Sequence, residues 1–306
     1  MGAEDLRSLL TPFRDAALHA DPDLVHEIDG MATGADAAWW DLFAVNAFEE
    51  LEPLVSKQAA APVDRCTAFA VRTQSGATLL AHNEQWVAGD SHNVIVIVSR
   101  PDEGPAFVSP TVACCLPAVG MNGAGVAQAI MSLTADDDGV GIPRVLTSRR
   151  SLQADQRDMA VQLSTRPGRA GGYAHLFATG AGDIFTVETS ARRHSVTGDR
   201  SHTNHYLDSA LAEPAPSPRT GSIARLTRLR QLLERPPETP EECMQILADH
   251  GSDPKAICMH PEPEDDEDDA IVFSMVCDVT ERRMWVSAGN PCTEPFEEID
   301  LAEALT

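Results

Sequence analysis

The segment that decides the fold is Asp64-Arg65-Cys66-Thr67-Ala68-Phe69-Ala70-Val71, in which a cysteine opens an apolar run. The run alternates as a half-buried strand does, and Ser75-Gly76 separates it from a second run at Thr78–Ala81. This pattern predicts a β-hairpin with Cys66 at the start of its first strand. A cysteine in such a place is most often a small buried hydrophobe, so its position alone does not make it catalytic.

The residues before this hairpin form a separate helical segment. Apolar residues recur at helical spacing from Leu6 to Leu18, and further helices are predicted over 22–30 and 35–51. Pro53 and Pro62 interrupt the pattern, so we expect the helices to end there. We therefore predict a helical segment over residues 1–65 and a main domain over residues 66–306.

Beyond Cys66 the pattern changes to short strands punctuated by glycine, proline and asparagine. Strands are predicted over 93–99, 107–116, 120–121, 126–131, 173–179, 183–188 and 193–197. Helices are predicted over 144–165 with an interruption near Ser151, over 221–233 and over 240–250. Blocks of this kind favour a layered architecture in which sheets lie inside and helices outside.

Composition excludes several classes of function. A chain of 306 residues with 43% hydrophobic residues can bury a large core. Its net charge of -24 argues against binding to nucleic acid or to anionic membranes, because both need basic surfaces. No signal peptide or membrane-spanning run is found, and seven irregularly spaced cysteines do not suggest a disulfide framework. These features predict a soluble protein in the reducing cytoplasm.

Two charged stretches are expected to face solvent. The first is the basic helix over 221–233 with the short segment before it, whose arginines are Arg219, Arg225, Arg228 and Arg230. Contact of these arginines with an acidic substrate or cofactor is the alternative to a solvated helix face. The second is the acidic run Pro261–Asp269, which cannot bury its charges and lacks the spaced ligands and turn glycine of a calcium loop.

Several segments in chain order resemble those of the C45 family, which comprises the acyl-coenzyme A:6-aminopenicillanic acid acyltransferases and related amide hydrolases. The segments are Arg65–Phe69, His82–Trp86, Gly120–Val126, His202–Tyr206, and Phe273–Asp278 with Arg282 and Arg283 beyond it. Residues 27–32 and 41–47 are similar to the helical pro-segment of that family. The resemblance covers nearly the whole chain. It implies an α+β fold of the N-terminal nucleophile hydrolases, a four-layer αββα sandwich of two antiparallel sheets between helices.

The chemistry of Cys66 explains why such a family would cut its own chain. A free thiol has a pKa near 8.5, so a base must activate it at neutral pH. Cleavage of the Arg65–Cys66 bond would create an α-amine with an ordinary pKa of about 7.7–8.0 on the same residue. The thiol itself can attack the Arg65 carbonyl to make that cut. The resemblance implies that residues 1–65 then remain bound as a small subunit, although family members more often have glycine where this chain has Arg65.

The resemblance also assigns roles to individual residues. Asn204 matches the asparagine that stabilises the oxyanion, and a backbone N–H of Asn83 or a neighbour is a candidate second donor. Gln85 stands where the family has an aspartate that orients the nucleophile, so Glu84 is a candidate replacement. Thr67 is assigned as support for processing, with an ordinary strand threonine as the equal alternative. Arg282 is placed beside the active site, with Arg283 as the other residue that could align there. Trp86 and His205 are placed in the environment of the substrate and oxyanion.

No metal or cofactor is expected. His202 and His205 lie three residues apart on an extended segment and should face opposite sides, and no paired short spacing joins them to Cys258 and His260. A coenzyme A thioester remains a candidate acyl donor.

Three functional hypotheses follow. The first is a self-processing cysteine amidohydrolase or acyltransferase that acts on a small N-acyl or peptide-like compound through an acyl-Cys66 intermediate. The second is an unprocessed cysteine hydrolase in which His202, His205 or His82 is the base. The third is a binding protein that has kept the fold and lost cleavage. A heterodimer of the two cleaved parts is the expected assembly, with a homo-oligomer as an open alternative.

Overall fold

The computed structural model describes residues 2–55, 66–211, 220–251, 256–261, 269–299 and 301–305. Four sequence-based predictions lie outside these ranges. They concern the cleavage point at Arg65, the helix break at Pro62, the surface position of Arg219 and most of the acidic run.

Nine α-helices and thirteen strands occur within the described ranges. The helices are α1 (Ala3–Ala20), α2 (Pro22–Gly34), α3 (Trp39–Val45), α4 (Phe48–Val55), α5 (Arg144–Ser151), α6 (Arg157–Ser164), α7 (Thr220–Leu232), α8 (Pro240–Leu247) and α9 (Leu301–Ala304). The strands are β1 (Thr67–Arg72), β2 (Thr78–Val87), β3 (Val94–Ser99), β4 (Phe107–Val112), β5 (Gly120–Asn122), β6 (Val126–Leu133), β7 (Gly172–Thr179), β8 (Ile184–Thr189), β9 (His194–Thr197), β10 (Ser201–His202), β11 (Asp269–Asp278), β12 (Arg283–Ala288) and β13 (Glu297–Ile299).

The strands form two antiparallel sheets. The first has the order β10-β1-β2-β11-β12-β13 and the second the order β3-β4-β5-β6-β7-β8-β9. The predicted hairpin is confirmed, because β1 and β2 pair from Thr67 opposite Asn83 to Arg72 opposite Thr78. Gly76 closes its turn with a φ of 93°, a conformation that glycine adopts without steric cost.

The two sheets pack face to face, as predicted. Ala68 and Leu80 lie in the core between the sheets, together with residues of β6 and β7. Phe69 and Leu79 point the other way and pack against α7 and α8, because successive side chains of a strand face opposite sides. Helices α5 and α6 contact the outer face of the second sheet. The protein is therefore an α+β sandwich with the layer order αββα.

The N-terminal helices pack on the helical layer that contains α5. Leu10 of α1, Val25 of α2 and Phe43 of α3 share a buried cluster with Leu146 of α5 and with Leu116. Burying several large apolar side chains contributes on the order of 1.5–3 kcal/mol for each of them. This segment is thus part of the folded core rather than an appended tail.

The helix predicted over 35–51 is two helices, α3 and α4, with a break at Asn46. The Asn46 amide donates to the carbonyl oxygens of Leu42 and Cys114 and accepts the Leu116 N–H, so contacts from distant residues set the break. The expected end at Pro53 was wrong, because α4 continues to Val55. A proline near the end of a helix removes one backbone hydrogen bond with few others beyond it.

Among the described residues, no helix combines the length and the apolar character needed to cross a membrane.

Candidate active site

Cys66 lies immediately before β1, with its sulfur between the two sheets. Its side chain is 5% exposed and belongs to the core between the sheets. Strand alternation puts it on the same face as Ala68, so it points away from the outer helices. The nucleophile predicted from sequence is therefore buried at the head of a strand that is second from the edge of its sheet.

Asn204 holds the main-chain nitrogen of Cys66. It follows β10, which pairs with β1 through His202 opposite Ala68, and this pairing brings the asparagine beside the cysteine. The Cys66 N–H donates to Asn204 Oδ1 at 2.8 Å. Asn204 Nδ2 donates to the carbonyl oxygen of Ser132 at 3.2 Å. The buried asparagine thus joins the first sheet to β6 of the second sheet beside Cys66.

Arg225 of α7 reaches the same group of atoms. Its Nη1 donates to the Cys66 carbonyl oxygen at 2.6 Å and to Thr67 Oγ1 at 2.7 Å. Its Nη2 donates to Asn204 Oδ1 at 3.1 Å. Arg225 is 1% exposed, so the prediction that it belongs to a solvated helix face was wrong. A buried guanidinium that donates to Cys66, Thr67 and Asn204 positions all three.

Glu84 and His82 extend the site along β2. Their side chains lie on the face of β2 that looks toward the second sheet, because they are two residues apart on a strand. Glu84 Oε1 lies 3.2 Å from Cys66 Sγ and accepts the thiol hydrogen, while Glu84 Oε2 lies 3.0 Å from His82 Nε2. Sulfur, carboxylate and imidazole therefore form a continuous chain of polar contacts.

The thiol of Cys66 is held in its protonated form. Burial is the main cause that raises the pKa of Cys66 well above its ordinary value, and the negative charge of Glu84 is the second, since both disfavour a thiolate. A hydrogen bond from the backbone N–H of Gln85 to the sulfur acts in the opposite direction. In this arrangement the thiol needs a base before it can attack a carbonyl.

A cavity of about 100 Å³ adjoins Cys66. Its walls come from both sheets and from α4, and they are mainly apolar, with Trp86, Ile130 and Phe273 among them. Phe48 of α4 lies edge-to-face on Trp86 with 5.2 Å between ring centroids. The N-terminal segment therefore forms one wall of the space that the sulfur faces.

Two carboxyl groups of α4 also border this cavity. Glu49 Oε1 accepts a hydrogen bond of 2.5 Å from the Ser132 hydroxyl, and Ser132 is the residue whose carbonyl binds Asn204. Burial raises the pKa of Glu50 to about 7, although the nearby Arg144 guanidinium lowers it. The helix that covers the cavity is thus linked to the site by polar contacts as well as by packing.

The side chains of Gln85 and Asn83 point away from the sulfur, which corrects the position expected for the Gln85 side chain in place of the family aspartate. They lie on the opposite face of β2, where Asn83 donates to the carbonyl oxygens of Leu247 and Ile257 and Gln85 contacts Met259. Asn83 pairs with residues on both neighbouring strands, so its backbone belongs to the sheet. A β-bulge opposite Gln85 accompanies its backbone contact with the sulfur.

His205 and His202 are turned toward partners other than Cys66. His205 Nδ1 lies 2.7 Å from the hydroxyl of Ser222 on α7, and His202 Nε2 lies 2.8 Å from Glu188 Oε1. The placement of His205 beside the substrate is therefore corrected, because its ring is directed at α7. Of the histidines proposed as bases, His82 is the one that enters the chain of contacts at the sulfur.

Arg282 lies far from Cys66, which corrects a further assignment. It is exposed in the turn between β11 and β12, with a φ of 55°. That turn follows Asp278, which pairs with Leu79 at the end of the sheet opposite Cys66. Arg225 is the arginine that contacts Cys66.

Sequence reasoning missed Arg225, although α7 contains a signal that identifies it. Ser222, Leu226 and Leu229 are buried and recur at helical spacing, and Arg225 falls on the same stripe. An arginine on the apolar stripe of a helix needs a buried partner, whereas Arg230 of the same helix is 53% exposed at its side chain.

A family model described as acyl-coenzyme A:6-aminopenicillanic acid acyl-transferase matches residues 71–293, a range that begins just after Cys66. The chain is also similar in structure to penicillin V acylase from Agrobacterium tumefaciens, with a TM-score of 0.55, 15% identity, and coverage of 78% of this chain and 87% of that chain. A variant of conjugated bile acid hydrolase from Clostridium perfringens gives a TM-score of 0.54 at 11% identity, covering 78% and 93%. Comparison with curated proteins gives no match.

Two antiparallel sheets pack face to face between helices, which is the fold of the N-terminal nucleophile hydrolases, and a buried cysteine lies at the start of an inner strand. The family match covers well over half of the chain. The protein belongs to the acyl-coenzyme A:6-aminopenicillanic acid acyl-transferase family.

Proposed function

We propose that this chain is a self-processing cysteine amidohydrolase or acyltransferase that acts on a small N-acyl or peptide-like compound through an acyl-Cys66 intermediate. The observation that carries the proposal is that two side chains bind two different atoms of Cys66. Asn204 binds its main-chain nitrogen, and Glu84 binds its sulfur. The same residue can then supply the nucleophile and, once its nitrogen is free, the base.

In the processing step, Glu84 is the group placed to take the thiol proton. Before cleavage the Cys66 nitrogen is an amide and cannot act as a base. Sulfur attacks the Arg65 carbonyl carbon, the bond from that carbon to the Cys66 nitrogen breaks, and the proton passes to the departing nitrogen. Water then hydrolyses the thioester, which gives the Arg65 carboxylate and a Cys66 with a free thiol and a free α-amine.

After cleavage the α-amine takes over as the base. The position of the Cys66 nitrogen beside Asn204 Oδ1 keeps the amine oriented, and Arg225 Nη2 shares that oxygen. Burial and a neighbouring positive charge both favour the neutral amine, so its pKa falls toward the working pH. A base of that pKa is efficient at neutral pH.

In acyl transfer, Cys66 would attack the substrate carbonyl and Asn204 Nδ2 would donate to the oxyanion that develops. The apolar walls of the cavity favour an apolar acyl group. Water as acceptor completes hydrolysis, and an amine completes transacylation. A coenzyme A thioester would serve as acyl donor in the same way as an amide, so the reaction itself uses no cofactor.

Residues 1–65 are proposed to remain bound as a small subunit after cleavage. Their helices share a buried cluster with α5 and form one wall of the cavity. Loss of one peptide bond leaves these contacts in place, so the heterodimer should persist without a covalent link.

One observation favours a second candidate, an unprocessed hydrolase. His82, Glu84 and Cys66 place one ligand atom each within 4.8 Å of one another. In that case the Glu84–His82 pair would serve as the base throughout, and the intact chain would be active.

The test is the intact mass of wild-type protein with N-terminal sequencing of any fragments, followed by assay on a panel of N-acyl amides. Self-processing predicts two fragments, 1–65 and 66–306, that elute together under native conditions. An intact chain that turns over amides would establish the second candidate. An intact chain without turnover would leave a binding protein.

Replacing Glu84 with glutamine should slow processing about a hundredfold, the order of magnitude that general-base catalysis contributes. The same change removes the charge that raises the pKa of Cys66, so that pKa should fall. Alkylation of Cys66 by iodoacetamide, followed by peptide mass mapping, should therefore become faster at neutral pH while processing becomes slower.

The matched control is Glu297→Gln, which neutralises an exposed glutamate on β13. It should change neither rate. Equal alkylation profiles for Glu84→Gln and wild type would show that Glu84 does not act on the sulfur.

A further inference from the structure

A second group of reactive side chains lies outside the active site. His250 follows α8, Cys258 and His260 lie on the loop before β11, and Cys292 lies in the turn after β12. One ligand atom from each of the four lies within 4.8 Å of all the others. Cys258 is buried, and the other three residues are exposed at the rim.

The separations in this group match those of ligands around one tetrahedral ion. Zinc bonds of about 2.0–2.1 Å to nitrogen and about 2.3 Å to sulfur place ligand atoms roughly 3.3–3.8 Å apart. The two Nε2 atoms of His250 and His260 are 3.1 Å apart. His260 Nε2 lies 3.2 Å from Cys292 Sγ and 3.8 Å from Cys258 Sγ.

Hydrogen bonding alone does not account for this convergence. A ring nitrogen of neutral histidine has either one hydrogen or one lone pair, so it makes one good hydrogen bond. His260 Nε2 has three polar neighbours within 3.8 Å, and two of them are thiols. A cation at the centre would satisfy all four atoms together.

The surrounding structure holds the segment that carries Cys258 in place. The Cys258 N–H donates to the Asp249 carbonyl oxygen at 3.0 Å, and Arg228 binds the Asp249 carboxylate at 2.8 and 2.6 Å. Asn290 Nδ2 donates to the Met259 carbonyl oxygen at 2.7 Å and lies 3.5 Å from Cys258 Sγ. An N–H directed at a ligand sulfur is an outer-shell contact that tunes metal sites.

We propose that His250, Cys258, His260 and Cys292 bind one zinc ion as a structural Cys2His2 site. Two thiols would each lose a proton to solvent on binding, and two thiolates with two neutral imidazoles would balance the charge of Zn²⁺. Tetrahedral sites of two sulfur and two nitrogen ligands are typical of zinc, and four protein ligands leave no open position for catalysis.

The zinc site would stabilise β2, the strand that carries Glu84, from the face of the sheet opposite Cys66. Asn83 of β2 donates from its side-chain amide to the carbonyl oxygen of Ile257, beside Cys258 on the same loop, and to that of Leu247 at the end of α8, at 2.9 Å each. Asn83 directly precedes Glu84, the residue that binds the nucleophile sulfur. A metal that fixes this loop would therefore support the position of Glu84 from behind the sheet.

The sequence-based expectation of no metal rested on the absence of a paired short spacing. The structure joins the pair Cys258-x-His260 to ligands from two other segments, one before it and one far after it. His202 and His205, which sequence reasoning had considered with that pair, have other partners.

The test measures metal bound to full-length protein purified under reducing conditions from zinc-supplemented medium. About one zinc ion per chain is expected for wild type, and less than about a tenth of that for the Cys258→Ser/Cys292→Ser double variant. Cobalt substitution of the wild type adds a readout that needs no variant, because two thiolate ligands give an intense charge-transfer absorption.

Two controls locate the metal. Cys66→Ala removes one possible ligand of the group Cys66, His82 and Glu84, the second group of potential ligands among the described residues, and Cys114→Ser removes an exposed cysteine that belongs to neither group. Both should keep the full zinc content. Wild type without zinc, zinc lost in Cys66→Ala, or an intact mass that shows Cys258 and Cys292 joined in a disulfide would each overturn the proposal.

Discussion

Replacement of Cys66 with alanine is expected to leave the chain whole and to abolish acyl transfer. The sulfur is the proposed nucleophile for both reactions, and loss of a catalytic nucleophile lowers kcat by on the order of 10⁶-fold in well-studied hydrolases. The side chain is small and buried, so the fold should tolerate alanine with a loss of about 1 kcal/mol. Intact mass and amide turnover, measured on the same preparation, check both parts.

Cys243→Ala is the matched control for Cys66→Ala. Cys243 is also a buried cysteine, but it lies on α8 in the cluster outside the first sheet. This variant should be processed and active like wild type. A Cys66→Ala chain that is still cut before residue 66 would assign processing to another nucleophile or to a contaminating protease.

Replacement of Arg225 with methionine is expected to lower acyl transfer by about 10²–10³-fold, as expected if the oxyanion donor loses its position. The guanidinium donates to Cys66, Thr67 and Asn204, and methionine leaves those buried oxygens without these bonds. Each buried group left unsatisfied costs about 1–3 kcal/mol, so the melting temperature should fall as well. Thermal unfolding separates this loss of stability from the loss of activity.

The pH profile distinguishes a positioning role for Arg225 from a purely structural one. Loss of its positive charge should raise the pKa of the Cys66 α-amine, since the ammonium form is then less disfavoured. The acid limb of kcat/KM for the processed enzyme should therefore move to higher pH. Arg225→Lys should recover part of the activity, because it restores the charge but not the forked geometry.

Arg230→Met is the control on the same helix. That side chain is 53% exposed and lies 4.0 Å from Asp199, so its loss should change neither stability nor the pH profile. An unchanged pH profile for Arg225→Met at reduced activity would limit Arg225 to a structural role.

Local patterns were enough to predict most elements. The hairpin of β1 with the first part of β2, predicted over Thr78–Ala81, and the helices α1 and α2 follow from periodicities of two and 3.6 residues, which depend on neighbours in the chain. The structure extends β2 to Val87. The break between α3 and α4 escaped prediction because Asn46 bonds to residues near 115, far along the sequence.

The residues of the candidate site also fall into those that sequence motifs identified correctly and those whose position only the tertiary structure decides. Cys66, Glu84 and Asn204 came from motifs that can be read along the chain, and the structure brings all three together. Arg282 and the side chain of Gln85 were placed at the site by motif alignment, yet the register of the strands sends them elsewhere.

Periodicity in the sequence therefore predicted a layered arrangement of sheets and helices, because periodicity is a local property. Short motifs, which are also local, carried the resemblance that implied the family, the αββα fold and the proposed nucleophile. Only the tertiary structure decided which side chains meet. Arg225 reaches Cys66 across 159 positions of sequence, and the proposed zinc ligands come from three separate segments. Contacts of this kind depend on strand register and helix docking, which no local pattern encodes.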